Sequence, residues 1–257
     1  MSFTLNDFPN AELAARPLAK AIAADLSAAL ATTTRALLLV SGGRSPSTLF
    51  KALFDETVEW SRIDISLVDE RSVAPDAEAA NAALVCASLM SGPARQARWL
   101  PLMPAEVFAA AADPWQAAER AAVLANANAA LMQPAVIVLG LGTDGHTASL
   151  FPDASQWPDA AISQARYVCV QPGGAPHARV SLSLPALRLQ KRCYMWAVGA
   201  EKVATLERLQ QLPPVQQMLR GRNVDEAGKR LLMQAGPVAC LMADPVAQLD
   251  VYCSNIE

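Results

Sequence analysis

Short apolar runs alternate along the chain with longer stretches in which apolar residues recur every three or four positions. The runs have the length and composition of buried strands, and the longer stretches have the spacing of helices that bury one face. The predicted strands are 36–40, 63–69, 98–102, 135–140, 167–170, 180–184, 193–198 and 238–243. The predicted helices are 11–31, 47–54, 78–91, 113–132 and 200–211. We expect Pro17 to start or interrupt the first helix, because proline lacks the N–H that a helix interior uses.

The alternation of strands and helices predicts an α/β fold. We expect a largely parallel, Rossmann-like open sheet flanked by helices on both faces. No repeat, low-complexity tract or Gly/Ser linker divides the sequence, so residues 1–257 are expected to form a single domain. In such sheets ligands bind outside the carboxyl ends of the strands, near the point where the strand order reverses.

Polar, charged and glycine-rich residues follow four of the predicted strands. S-G-G-R-S follows 36–40, D-E-R closes 63–69, G-L-G-T-D-G-H follows 135–140, and Glu201-Lys202 follow 193–198. Because the carboxyl ends of parallel strands meet at one edge of a sheet, we expect all four tips to face a single crevice.

The composition excludes several classes of protein. Hydrophobic residues make up 53% of the chain and charged residues 18%, and much of the apolar excess is alanine, which favours helices. The longest uncharged stretch, 121–143, contains Asn126, Asn128 and Pro134, so we do not expect it to cross a membrane. A formal net charge of -3 gives no reason to expect a nucleic-acid partner.

The cysteines and the start of the chain predict a cytoplasmic protein without a metal. The five cysteines form no C-x-x-C pair and lie mostly in apolar runs, which is typical of reduced core thiols. No cysteine–histidine cluster has the spacing of zinc ligands. The first ten residues lack the apolar segment of a secretory signal. The oligomeric state is left open, a monomer included.

The glycine pair after the first predicted strand could bind an anion. Gly42 and Gly43 permit close backbone approach and positive φ, which exposes N–H groups, and the following helix start adds a favourable dipole. Arg44 and Ser45 add a cation and a hydroxyl. An ordinary tight turn is the alternative, since the spacing matches neither G-x-G-x-x-G nor the ATPase P-loop.

Three cations could assist this loop. Arg71 closes a strand tip, although a solvated cluster with Asp69 and Glu70 is the alternative. Lys202 lies in the first turn of a predicted helix, where a cation opposes the helix dipole unless an anion lies nearby. Arg179 begins a strand and could reach the same ligand.

His146 is the candidate general base. Its imidazole can take a proton from water near neutral pH, and Asp144 could orient the ring or contact the substrate. A loop histidine that caps the next helix is the alternative. His177 lies in a Pro/Gly-rich loop and is expected to have no catalytic role. Ser149 does not lie in a G-x-S-x-G motif, so a serine hydrolase is not supported.

Taken together, these stretches resemble the 6-phosphogluconolactonase family over nearly the whole chain. The residues that carry the resemblance are V-S-G-G-R-S-P at 40–46, V-D-E-R at 68–71, Asn81, G-L-G-T-D-G-H-T-A-S-L-F-P at 140–152, R-V-S-L-S-L-P-A-L at 179–187 and G-A-E-K at 199–202. Relatives often read S-G-G-S-T-P in the first stretch, and here Arg44-Ser45 replace Ser-Thr.

The resemblance implies an α/β fold shared with glucosamine-6-phosphate deaminases, and a lactonase activity. Loop residues 42–45, Arg71 and Lys202 would hold the 6-phosphate, His146 would be the general base, and Asp69 would assist at the sugar or orient other groups. The reaction would convert 6-phospho-D-glucono-1,5-lactone to 6-phosphogluconate in the pentose phosphate pathway. No metal or organic cofactor is expected, because a lactone is already an activated ester.

Two other functions remain open from the sequence. The first is an amino-sugar-phosphate isomerase or deaminase, since such relatives also carry a D-G-H turn. The second is a sugar-phosphate-sensing module without catalysis. Sensors of that kind carry a DNA-binding helix-turn-helix, and no basic N-terminal segment resembles one here.

Overall fold

The computed structural model describes residues 3–43, 45–103, 117–190, 192–212 and 226–257. Within these residues the strands are β1 (Phe3–Asp7), β2 (Ala36–Val40), β3 (Ile63–Leu67), β4 (Asp69–Arg71), β5 (Arg98–Trp99), β6 (Val136–Gly140), β7 (Tyr167–Val170), β8 (Arg179–Leu182), β9 (Cys193–Val198) and β10 (Leu249–Ser254). The helices are α1 (Ala11–Leu30), α2 (Ser47–Leu53), α3 (Asn81–Ser88), α4 (Ala117–Ala130), α5 (Trp157–Ala160), α6 (Leu184–Arg188), α7 (Ala200–Gln210) and α8 (Glu226–Ala243). Short 3-10 turns cover Trp60–Arg62, Leu89–Ser91 and Pro93–Gln96.

A seven-stranded parallel sheet forms the centre of the fold, in the order β1-β10-β9-β6-β2-β3-β5. The chain runs outward from β2 through β3 to β5 and then returns to β6, from which it runs outward the other way through β9 and β10. The strand order therefore reverses between β2 and β6. This arrangement confirms the predicted α/β fold and sets the expected ligand position beside these two strands.

A second, antiparallel sheet of three strands, β4-β8-β7, extends from the tip of β3. The prediction that D-E-R closes the strand at 63–69 was wrong, because β3 ends at Leu67 and Asp69–Arg71 pairs with β8. Val68 joins the two sheets: its N–H donates to Val40 O at 3.0 Å, and its carbonyl accepts from Leu182 N at 2.9 Å. The apolar-to-polar step at 68–69 therefore marks a change of sheet.

The predicted strand at 238–243 is wrong, because these residues form the end of α8. The segment is buried nearly throughout, and a continuous apolar run has the same pattern in a buried helix and in a buried strand. Gly236, with φ 74°, interrupts the helix just before Pro237. The last strand is instead β10, which the sequence pattern missed together with β1.

The first predicted helix is also continuous through Pro17, contrary to the expected break. Asn10 begins it, since the Asn10 Oδ1 accepts a hydrogen bond from Leu13 N at 2.9 Å. The start of the helix predicted over 113–132 lies outside the described residues, and α4 covers its later part. No helix in the described part of the chain is long and apolar enough to span a membrane. None of the five cysteines forms a disulfide.

Candidate active site

A cavity of about 220 Å³ opens at the carboxyl ends of β2, β6 and β9, where the strand order reverses. Most of the predicted site residues line it, namely Gly42, Gly43, Ser45, Asp69, Arg71, His146, Arg179 and Lys202. Asp144 does not line the cavity but contacts His146, which does. Arg44 lies outside the described residues. The residues that follow separate strands in the sequence therefore come together around one cavity.

The loop after β2 is held in place by its neighbours. Ser41 N donates to Val138 O at 2.9 Å, and Gly140 N donates to Ser41 Oγ at 3.1 Å, so the tips of β2 and β6 are joined. Trp196 Nε1 donates to Ser45 O at 2.9 Å. The loop is thus held by hydrogen bonds to two neighbouring strands, β6 and β9.

Glycine is required at two positions of this loop. A Cβ on Gly42 would lie 2.4 Å from the side chain of Asn81, so only glycine lets the loop approach α3 this closely. Gly43 has φ 104°, a conformation that residues with a side chain rarely adopt. The prediction that this pair provides close backbone approach and a positive φ is therefore confirmed, the first at Gly42 and the second at Gly43.

Lys202 faces this loop from the first turn of α7. Its Nζ donates to Ser45 Oγ at 2.6 Å. Burial lowers the pKa of Lys202, although the charge of Glu257 opposes this. An anion beside the helix start would stabilise this partly buried ammonium through its charge. The dipole of α7 would favour the same anion.

The turn after β6 presents His146 to the cavity. Gly142 N donates to His146 O at 2.9 Å, and Gly145, with φ 89°, donates to Gly142 O at 3.0 Å. A Cβ on Gly142 would lie 2.1 Å from His146 Nδ1, so the ring occupies the space that a side chain at position 142 would need. Gly142 and Gly145 therefore shape the turn so that the imidazole of His146 fits against it.

Asp144 and Phe151 fix the orientation of this ring. Asp144 Oδ1 lies 2.6 Å from His146 Nδ1, and it also accepts from His146 N at 3.0 Å. Burial raises the pKa of Asp144, but the hydrogen bond and charge of His146 outweigh burial and lower it overall. The ring of Phe151 stacks on the imidazole at 4.2 Å between centroids. With Nδ1 donating to an ionised carboxylate, Nε2 is the nitrogen that can accept a proton.

Two arginines face each other on the second sheet. Arg71 and Arg179 are Cα partners in the β4–β8 ladder, where like charges oppose each other. Arg179 is 7% exposed and lies 5.5 Å over the ring of Phe151; burial lowers its pKa. Arg71 donates to Ala79 O at 2.7 Å, while its buried Nε has no hydrogen-bond partner. An anion bound nearby would offset the repulsion between the two guanidinium groups.

The family model for glucosamine-6-phosphate isomerases/6-phosphogluconolactonase matches residues 9–231. The chain belongs to this family. A 6-phosphogluconolactonase from Pseudomonas aeruginosa is 40% identical over 196 residues, which are 75% of this chain and 79% of that protein. Another from Neisseria meningitidis is 36% identical over 211 residues, which are 81% of this chain and 89% of that protein. The crystal structure of a 6-phosphogluconolactonase from Shewanella baltica has a TM-score of 0.80 at 28% identity, and the match covers 98% of this chain and 97% of that one.

The sequence pattern carries no functional signal for two residues at the site. Trp196 lies within an apolar run typical of a core strand, yet its indole N–H holds the glycine loop. Ser149 lies outside any hydrolase motif, yet its hydroxyl contacts Asp69. Both signals depend on contacts between distant segments, which a linear pattern does not contain. Within the described parts of the chain, no group of three or more His, Cys, Asp or Glu side chains could hold a metal ion.

Glu70 links β4 to α3 beneath the cavity. It is 3% exposed, and its carboxylate accepts from Arg71 N at 2.6 Å, Asn81 N at 2.8 Å and Ala82 N at 2.8 Å. Burial raises the pKa of Glu70 to about 7, and the three backbone donors only partly oppose it. The carboxylate therefore joins two cavity-lining residues, Arg71 and Asn81, through their backbones.

This raised pKa predicts a pH-dependent stability. Between the ordinary value of 4.5 and about 7, the folded protein keeps a proton on Glu70 that the unfolded chain has released. The contribution is fully present below pH 4.5 and is lost as the pH rises through 7, at a cost of about 3 kcal/mol. Denaturant unfolding from pH 4.5 to 8 measures it. Glu70→Gln, which cannot ionise, should show a shallower decline than wild type, and parallel profiles would refute the assignment.

Proposed function

We propose that this chain hydrolyses 6-phospho-D-glucono-1,5-lactone to 6-phosphogluconate, the lactonase step of the pentose phosphate pathway, with His146 as the general base. One observation carries the proposal: an imidazole held by a carboxylate and an ammonium bound to a glycine loop line the same cavity. Family membership and the relatives named 6-phosphogluconolactonase support the choice of substrate.

The phosphate binds at the loop of Gly42, Gly43 and Ser45, next to Lys202. Backbone N–H groups and the Ser45 hydroxyl donate hydrogen bonds, and the ammonium supplies charge. Phosphate binding at one end of the substrate sets the position of its lactone carbonyl, so remote binding energy is used to orient the reacting carbon. Arg71 and Arg179 raise the positive potential of the remaining wall.

At the other end, His146 Nε2 takes a proton from water as the water oxygen bonds to the lactone carbonyl carbon. Asp144 stabilises the imidazolium that forms. The cations of the cavity favour the negative charge that develops on the carbonyl oxygen. When the ring C–O bond breaks, the imidazolium returns the proton to the leaving oxygen, which becomes a hydroxyl group. The histidine is regenerated, and no electrons are transferred to or from the protein.

The direct test is a time course of lactone disappearance against the uncatalysed blank. Acceleration above the blank supports the proposal. Release of ammonia from glucosamine 6-phosphate, without lactone hydrolysis, would instead identify an amino-sugar-phosphate deaminase. Binding of 6-phosphogluconate without any acceleration would identify a sensing module.

Lys202→Ala should act on binding more than on chemistry. Loss of the ammonium removes a charge-assisted contact with the phosphate, so we expect KM to rise roughly 10- to 100-fold with a smaller change in kcat. Steady-state kinetics on the lactone measure both constants. Lys20→Ala, which removes an exposed lysine from α1, is the matched control. A fall in kcat at unchanged KM would place Lys202 at the reacting carbonyl instead.

A further inference from the structure

A buried chain of polar groups reaches Asp69 from the histidine turn. Asp69 Oδ2 accepts from Ser149 Oγ at 2.6 Å and from Asn81 Nδ2 at 3.2 Å. All three residues are nearly inaccessible, with exposures of 5% for Asp69, 0% for Ser149 and 4% for Asn81. The Ser149 bond has the short length of a charge-assisted O–H···O⁻ contact. Asp69 itself lines the cavity.

Ser149 is in turn held in place from two sides. Its N–H donates to Ser181 Oγ at 3.0 Å, and Ser181 Oγ donates to Leu182 O at 3.1 Å. The preceding residue, Ala148, has φ 49°, a left-handed conformation that costs free energy for a residue with a side chain. This strained residue immediately precedes Ser149, whose hydroxyl donates to Asp69.

We propose that Ser149 is a positioning residue that holds the carboxylate of Asp69 toward the sugar part of the substrate. The two donors on Oδ2 fix the orientation of the carboxylate, which leaves Oδ1 to accept a hydrogen bond from a sugar hydroxyl. Because Ser149 follows His146 by three residues, the same turn positions the imidazole of His146 and, through Ser149, the carboxylate of Asp69. This inference rests on the proposed lactonase function.

The test is a double-mutant cycle. Ser149→Ala should lower kcat/KM roughly 10- to 100-fold, because it removes a hydrogen bond to a charged group. In an Asp69→Ala background the same change should have little further effect, because the group that Ser149 positions is gone. If Ser149→Ala causes the same loss in both backgrounds, or no loss in the wild type, the proposal is overturned. Ser149→Cys, whose thiol is a weak donor, should give an intermediate loss.

A second readout separates positioning from general disruption. Calorimetric titration of Ser149→Ala should show weaker binding of 6-phosphogluconate but unchanged binding of inorganic phosphate, since the glycine loop is untouched. Equal weakening of both ligands would indicate a merely structural role and overturn the proposal. Ser66→Ala is the control: Ser66 is also 0% exposed and makes one 2.6 Å bond, to Leu100 O, away from the cavity. It should keep wild-type kinetics.

The cycle also remains informative if the proposed function fails. A wild-type protein that does not accelerate lactone hydrolysis refutes the lactonase proposal by itself. The 6-phosphogluconate and phosphate titrations of the same four proteins (wild type, both single variants and the double variant) still decide whether Ser149 acts through Asp69.

Discussion

Replacing His146 with alanine is expected to lower kcat by roughly 10²- to 10⁴-fold while leaving the affinity for 6-phosphogluconate nearly unchanged. In the proposed reaction the imidazole removes a proton from water, whereas the groups proposed to hold the phosphate, the glycine loop and Lys202, are left unchanged. Initial rates on freshly made lactone, corrected for spontaneous opening, measure the first quantity. Calorimetric titration with the product measures the second.

The second histidine of the chain provides the control for this experiment. His177 is exposed in the loop before β8 and has φ 67°, so His177→Asn keeps a residue that tolerates this conformation. This variant should have wild-type turnover. If His146→Ala retained the kinetics of wild type, His146 would not be the base, and a different group in the cavity would have to activate water.

Gly142→Ala is expected to lower kcat/KM by roughly 10²-fold although it removes no functional group. The new methyl carbon would lie 2.1 Å from His146 Nδ1 and 2.8 Å from Asp144 Oδ1, so the ring and its carboxylate must move. A displacement of about 1 Å in a reacting group is enough for a loss of this size. Lactonase kinetics, with thermal unfolding to verify that the variant is folded, measure the effect.

Gly174→Ala is the matched control, because its Cβ would meet only Asp153 Oδ2, at an ordinary distance of 3.6 Å. It should behave as wild type in both measurements. A Gly142→Ala variant with full activity would mean that the imidazole can take another position without loss, which contradicts a fixed base.

The convergence of the strand tips could be predicted because it depends only on local pattern and on sheet topology. A buried run followed by glycine or charge marks the carboxyl end of a parallel strand, and such ends share one edge. The same reasoning predicts that Gly42, His146 and Lys202 lie close together, and the three line one cavity. Their roles in binding and catalysis stay predictions.

The two misassigned segments have different physical origins, burial in one case and long-range strand pairing in the other. At 238–243 an apolar run without polar positions gives no period, so a buried helix was predicted as a strand. At 69–71 the polar residues looked like the end of a strand, whereas they begin a second sheet by pairing with β8. Pairing between segments more than 100 residues apart is decided by tertiary packing, which local propensity does not record.

Contacts across the site were the least predictable from sequence. Ser149 meets Asp69, and Asn81 packs against Gly42, only because two sheets and a helix start converge there. The resemblance to a known family drew attention to Asn81 by position, but not to the reason for its presence. The side-chain amide of Asn81 donates to the carboxylate of Asp69, and the Asn81 side chain fills the space that a side chain at position 42 would need.

The junction at Val68 has a consequence for how the substrate reaches its site. Val68 hydrogen-bonds to strands of both sheets, and the glycine loop follows a strand of one sheet while Arg71 and Arg179 lie on the other. The two sheets are therefore hydrogen-bonded to each other through this residue, which disfavours rotation of one sheet against the other. If the chain binds a sugar phosphate as proposed, we expect it to enter and leave by movements of side chains at the cavity mouth rather than by rotation of the sheets.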